Sequence, residues 1–346
     1  MLLEAEGQIA GTRRPDYDVV TVRGRGVGHL GCSAFGATEG VAREKDQYTH
    51  VESPTVLTNR TRAVRADGAA IARARPAFFP RPAVVSTQRE AGRVRSEAGR
   101  ASLLGVRVSI LTRQALLRTL EDWVGSGTRR LCYANAHVLN LALRDSRLRD
   151  ALNRADVVLC EGVGGRIGSA IAGTEPRVAT SLNTMTWIDD YFDLLARRGA
   201  RVFLVGDEAP VLAACVDEMG MNHPDLRVVG THHGFFDRHG PDNERVLDEI
   251  RRSDAHVLIV GMGTPIQEFW IEDNLEDLPG MNILALGAMF RWYSGVERPW
   301  FDWMLRFHLG WLGRLVRHPV RHFRRYVIGN PLFLWRCLRQ RWGQRT

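Results

Sequence analysis

From Leu103 to Phe290 the chain alternates short, almost wholly apolar runs with stretches of helical periodicity. "LLGVRVSIL" precedes "RQALLRTLEDWV", and "RLCYAN" precedes "AHVLNLALRDSRLRDALN". "DVVLCEG", "RVFLVGD", "LRVVGTHHG", "HVLIVGMG" and "NILALGAMF" follow, most of them trailed by a helical pattern. Strands that are apolar on both faces and separated by helices form a parallel sheet covered on both sides. The expected fold is therefore α/β and Rossmann-like, a mostly parallel sheet with helices on both faces. Ligands of such sheets lie beyond the carboxyl ends of the strands. That rule selects Asn135, Glu161, Gly206 with Asp207, Thr231 to His233, Gly261 to Glu268, and Gly287 to Arg291.

Charge divides the 346 residues into three parts. The net charge of +8 comprises +5 in residues 1–100 and +10 in residues 298–346, which leaves −7 for the middle. Residues 1–100 lack sustained periodicity and are rich in Arg, Ala, Gly and Pro. They are expected to be a disordered or non-native, dispensable extension. Within them "GVGHLG", Gly26 to Gly31, has the form of a dinucleotide fingerprint, but no unbroken helix follows it, so chance explains it better. Residues 101–297 are expected to form the sheet domain. Residues 298–346 interleave eleven Arg with five of the nine Trp and one Asp, a pattern of helices lying in a membrane interface. The alternative is a helical hairpin packed on the core with solvated arginines. The appendage is expected to bind anionic membranes and to be removable without unfolding the sheet domain.

Composition also excludes chemistries. Lys45 is the only lysine, so a P-loop lysine and Schiff-base chemistry are excluded from the sheet. Cys32, Cys132, Cys160, Cys215 and Cys337 form no C-x-x-C pair, which supports neither a zinc site nor a disulfide framework. No apolar stretch is long enough to span a bilayer. His232 and His233 with Asp237 invite a metal reading, but no further ligand sits at a standard spacing, which favours strand-end packing and polar contacts.

Individual residues carry weaker signals. Glu161 ends an apolar strand, where a carboxylate can act as a general base or cap the next helix. Asn135 is open to the same two readings, ligand contact or cap. In "VLIVGMGTPIQEFW", Gly261 and Gly263 clear space, Thr264 and Pro265 turn the chain, and Gln267 and Glu268 fall in the first helical turn. That turn offers N–H groups to an anion, and an amide can read a base or sugar.

The order and spacing of these stretches, from about Leu103 to Trp335, resemble the WecG/TagA/CpsF glycosyltransferases of bacterial cell-surface polysaccharide synthesis. The matching stretches are "YANAHVLNLALRD", "ADVVLCEGVGG", the pair Arg177–Val178, "GTHHGFFD", "GMGTPIQEFW" and "RLVRHPVRHFRRY". The resemblance implies inverting, metal-independent transfer of N-acetylmannosamine or a related hexose from a UDP-sugar. The implied acceptor is a polyprenyl-diphosphate-linked sugar at the cytoplasmic face of the membrane, with peripheral attachment, no cofactor and no nucleic acid; a homo-oligomer is compatible with it. Glu161 would be the base, with Asn135, Arg314, Arg321 and Arg325 completing the catalytic set. Tyr133, Gly162, Arg177, Gly206, Gly261, Gly263, Thr264, Gln267 and Glu268 would bind the donor. Departures from the family pattern stand at Glu161 (for aspartate), Ile266 (for lysine), Arg291 (for aspartate), Tyr133 (for a small hydroxylated residue) and in "VATSLNT", which lacks an aspartate. They imply altered donor or acceptor choice, or reduced activity. The rival class is a nicotinamide-dependent oxidoreductase on the same kind of sheet. A nucleic-acid-binding module is a further rival that rests on the basic tail alone.

Overall fold

A computed structural model describes residues 99–178, 181–297 and 310–343. The expectations for residues 1–98, including Gly26 to Gly31, lie outside the described residues. The apolar runs form an eight-stranded sheet in the order β1-β2-β4-β3-β8-β7-β5-β6. Its strands are β1 (Arg100–Leu103), β2 (Val106–Ser109), β3 (Arg129–Ala134), β4 (Val157–Cys160), β5 (Arg201–Gly206), β6 (Arg227–His232), β7 (Val257–Gly261) and β8 (Asn282–Ala285). All pairings are parallel except β1 with β2. "LLGVRVSIL" is thus not one strand: Leu104 and Gly105, both at positive φ, turn it into a tight hairpin.

Helices α1 (Arg113–Trp123), α5 (Ile188–Arg197), α6 (Ala209–Asn222) and α9 (Met289–Tyr293) bury their apolar stripes on one face. On the other face lie α2 (Ala136–Ala142), α3 (Ser146–Arg154), α4 (Val163–Ala172), α7 (Pro241–Arg252) and α8 (Ile266–Asp273). "AHVLNLALRDSRLRDALN" reads as one helix but forms two. The Asp145 side chain accepts from Leu148 N at 3.1 Å and starts α3 afresh. The chain leaves β3 outward to β4, then crosses to β5 and returns to place β8 beside β3. The switch-point crevice therefore opens at the carboxyl ends of β3 and β8, where neighbouring connections diverge to opposite faces.

The carboxyl-terminal segment holds α10 (Gly310–Arg317), α11 (Pro319–Phe323), a π-helical turn (Arg324–Ile328) and α12 (Gly329–Gly343). Here the expected division at 298 needs correcting. α12 is part of the sheet domain: Phe333 and Cys337 are fully buried in its core. A methyl group on Gly168 of α4 would lie 2.4 Å from the Phe333 ring, so only glycine lets the two helices meet this closely. Gln340 accepts from Leu104 N at 2.8 Å and donates to Ser102 O at 2.9 Å, fastening α12 to the hairpin. Arg336 reaches Asn140 Oδ1 at 2.7 Å, and Asn140 donates to Gly329 O at 2.8 Å. A chain cut at residue 300 would expose this seam rather than leave an intact domain. α10 and α11, by contrast, carry the exposed apolar side chains Val316, Val320 and Phe323.

Candidate active site

Two lips face each other across the crevice. The first is built at the ends of β3 and β4. Glu161 follows β4 directly, its backbone N–H bonded to Ala134 O at 3.2 Å. Its half-buried carboxyl is pushed above the usual carboxylate range by desolvation. The guanidinium groups of Arg314 and Arg325 and the backbone N–H of Thr184 pull it back down. The charges of Arg314 and Arg325, on the carboxyl-terminal segment, thus act on the carboxylate at β4. The Arg314 guanidinium lies 5.4 Å from the Trp292 ring centre and 5.9 Å from that of Tyr326; Arg325 lies 5.4 Å from Tyr326. Such ring faces attract a cation and fix its position. His137, in the first turn of α2, is lowered to about 4 by burial and by Arg325, so it is neutral at pH 7.

Glu161 is not the cap of α4. Gly162 occupies the cap position with φ of +80°, and no side chain bonds the first turn. The helix N-terminus beside Glu161 therefore keeps N–H groups for an anion. The following glycines serve packing rather than ligand approach: a methyl group on Gly165 would fall 1.9 Å from Cys160 Sγ. Asn135 caps α2, its Oδ1 accepting from His137 N at 3.0 Å and Val138 N at 3.1 Å. That use of its oxygen favours the cap among the two readings the sequence left open. Tyr133 is buried, which speaks against the donor contact expected of it. It is 6% exposed, and its hydroxyl is hydrogen-bonded to Thr184 Oγ1. Arg177 is exposed and pairs with Glu175 at 3.8 Å. The side chain of Arg321, on α11, lies outside the described residues.

The second lip is built at the ends of β5, β7 and β8, and its chemistry is mostly internal. Gly206 and Gly261 touch backbone to backbone; a Cβ on Gly206 would lie 2.5 Å from the Gly261 carbonyl. Gly263, at φ of +82°, has open space on its Cβ side. Gln267 corrects the expectation of an amide that reads a base. At 1% exposure, it sends Oε1 to Gly263 N at 3.3 Å and to Gly287 N at 3.1 Å. It ties the β7 and β8 turns together from behind. Glu268 is equally buried and accepts from Gln267 Nε2 and Thr264 Oγ1, each at 2.9 Å. Burial pushes its carboxyl up, and those two donors pull it down. Thr264 and Glu268 therefore shape the turn rather than line it. Beside the turn, Arg291 donates to Asp207 at 2.7 Å and to Glu208 at 3.2 Å. The arginine that departs from the family pattern thus has its own counter-charge on β5's end. Sequence reasoning gave no role to three members of this constellation: Thr184, His137 and Trp292. Each had a visible cue: Thr184 ends "VATSLNT", His137 lies within "YANAHVLNLALRD", and Trp292 follows Arg291.

A carboxylate faced by two arginines and an uncapped helix, at the switch point of a doubly wound sheet, suits transfer of a group from an anionic leaving group to a hydroxyl. The class is a transferase. The sequence model of the Glycosyl transferase WecG/TagA/CpsF family matches residues 101–346, and the chain belongs to that family of glycosyltransferases. Among curated relatives, the N-acetylglucosaminyldiphosphoundecaprenol N-acetyl-beta-D-mannosaminyltransferase of Bacillus spizizenii is 28% identical over 60% of this chain and 77% of its own. The protein of that name in Bacillus subtilis is 24% identical over 61% and 80%. The one in Staphylococcus aureus is 21% identical over 65% and 92%. Among the described residues no helix is long and apolar enough to cross a membrane.

Proposed function

We propose that the protein transfers N-acetylmannosamine, or a related hexose, from a UDP-sugar to a polyprenyl-diphosphate-linked sugar, with inversion and without a metal. The relatives' names support the acceptor class and the mannosaminyl group. The observation that carries the reading is Glu161 at the β4 end, with the charges of Arg314 and Arg325 acting on its carboxyl. In a single displacement, Glu161 takes the proton of the acceptor hydroxyl as its oxygen bonds to the anomeric carbon. The bond from that carbon to the UDP oxygen breaks on the opposite face, and its electron pair leaves with UDP. The leaving diphosphate gains negative charge, which Arg314 and Arg325 offset; their planar forks suit phosphate oxygens. The glycine turn Gly261 to Gly263 and the β8 turn form the donor shelf, held rigid by Gln267.

The enzyme would work peripherally at the cytoplasmic face. Val316, Val320, Phe323, Val327 and Ile328 are exposed on the segment that also carries Arg317 and Arg324. Apolar side chains flanked by arginine suit an anionic interface. Incubating the full chain with a panel of UDP-sugars and a short-chain lipid-diphosphate N-acetylglucosamine should yield one disaccharide-lipid of inverted anomeric configuration. Thermal stabilisation by NAD(P) with none by UDP, and no product from any donor, would replace this reading with the oxidoreductase.

A further inference from the structure

The buried side of Glu161 is organised by the end of "VATSLNT", the stretch that lacks the family's aspartate. Thr184 opens a short 3-10 turn, Thr184–Thr186, that follows "VATSL" and leads into α5. The turn is held at three points. Asn183 Oδ1 caps it from Met185 N at 2.9 Å, Trp187 N bonds Thr184 O at 3.2 Å, and Leu182 N bonds Cys160 O at 3.1 Å, next to Glu161. Thr184 is 5% exposed and presents two polar groups in different directions. Its backbone N–H favours the ionised Glu161 carboxyl, and its hydroxyl pairs with the Tyr133 phenol near the end of strand β3. The indole nitrogen of Trp187, buried without a formed hydrogen bond, approaches the same phenol oxygen. A glutamate has one more rotatable bond than an aspartate, so its carboxyl needs an additional restraint to hold one position. Tyr133 reaches far enough to supply it through Thr184.

We propose that Thr184 and Tyr133 are positioning residues for the general base: the phenol–hydroxyl pair fixes the Thr184 turn, whose amide in turn fixes the Glu161 carboxylate against the acceptor. The inference rests on Glu161 being the base. The amide favours the ionised carboxylate, so loosening it makes Glu161 easier to protonate. A buried phenol–threonine pair that served packing alone would alter stability without touching the titration of Glu161.

The test uses the full chain with Tyr133→Phe, Thr184→Val, Thr184→Ser and Glu161→Gln. Turnover is measured against pH with UDP-N-acetylmannosamine and a short-chain lipid-diphosphate N-acetylglucosamine. In parallel, the Glu161 carboxyl is titrated by 13C NMR, its signal assigned by its loss in Glu161→Gln. Tyr133→Phe and Thr184→Val should each lower kcat about 10-fold to 100-fold, as small displacements of a catalytic group do. The donor KM should stay unchanged, and both the acidic limb and the carboxyl titration should move to higher pH. Thr184→Ser should restore the wild-type profile. Wild-type turnover and an unmoved titration in Tyr133→Phe and Thr184→Val, with Glu161→Gln inactive, would overturn the positioning role and leave the base assignment standing. Normal turnover in Glu161→Gln would sink the base assignment itself. Should no variant turn over this donor, the carboxyl titration still decides: a shift in both variants and none in Thr184→Ser supports the restraint, and an unmoved signal overturns it.

Discussion

The two lips of the crevice are built on opposite plans. The β5–β7–β8 lip is braced from within: two glycines touch backbone to backbone, Gln267 bridges both turns and Arg291 pairs with Asp207, while buried Glu268 keeps one oxygen without a hydrogen bond. The β3–β4 lip is in electrostatic tension. Its carboxyl is raised by burial, as Glu268 is on the other lip, but here the charges of arginines from the far end of the chain act on it. A lip braced in this way can stay rigid whether or not a ligand is present. A lip in tension has interactions left to give, and these strengthen when a proton moves and a diphosphate departs. Under the proposed mechanism the β5–β7–β8 lip would bind the donor and the β3–β4 lip would carry the chemistry.

The largest effect expected from this division is at Glu161. Glu161→Gln should cost about 10²-fold to 10⁴-fold in kcat while UDP still raises the melting temperature, because an amide cannot take the proton. An equal loss of UDP stabilisation would erase the division between the lips.

Arg314→Ala should cost about 10²-fold in kcat, the usual scale for removing one group that stabilises developing charge. It also has a pH signature. Arg314 favours the ionised form of Glu161, whose pKa burial holds above its ordinary value. Removing the arginine should move the acidic limb of the rate profile to higher pH, and activity at mildly acidic pH should fall more than at pH 8. Arg325→Ala should act in the same direction. A uniform loss at every pH would place these arginines on the diphosphate alone.

On the other lip, Gln267→Ala should leave kcat and the pH limb nearly intact. It orphans the N–H groups of Gly263 and Gly287 and one donor to Glu268. The expected cost is about 1–3 kcal/mol of stability, read by denaturant unfolding, together with a higher donor KM. A selective collapse of kcat would give this lip a chemical role.

Smallest is the effect of Val320→Ser, which removes a side chain that is 92% exposed. Stability should change by less than about 0.5 kcal/mol, as for surface sites generally. Flotation with anionic vesicles should weaken several-fold at most, because the neighbouring apolar and arginine side chains remain. Unchanged flotation after further replacement of Phe323 would remove this face from the membrane contact.

By itself the sequence determined the layers and the place of the site. Strands apolar on both faces can lie only inside a covered sheet, and ligands of such sheets meet the strand ends, so Glu161 and the glycine turn were legible from Val157–Gly162 and Val257–Trp270. The tail's arginines were legible as a charge excess that an acidic body would need. Which side chain at a strand end faces the crevice was a matter of packing. Gln267 and Tyr133 look like ligand contacts in one dimension, yet each has its polar atoms claimed by groups behind the site. α12 looks like a removable basic helix, yet Gly168 leaves the gap that Phe333 fills. Periodicity reports how often a side chain is buried and charge reports its sign; neither reports its partner. Thr184 shows the limit most plainly, since its amide and hydroxyl acquire meaning only when β3, β4 and the turn before α5 come together.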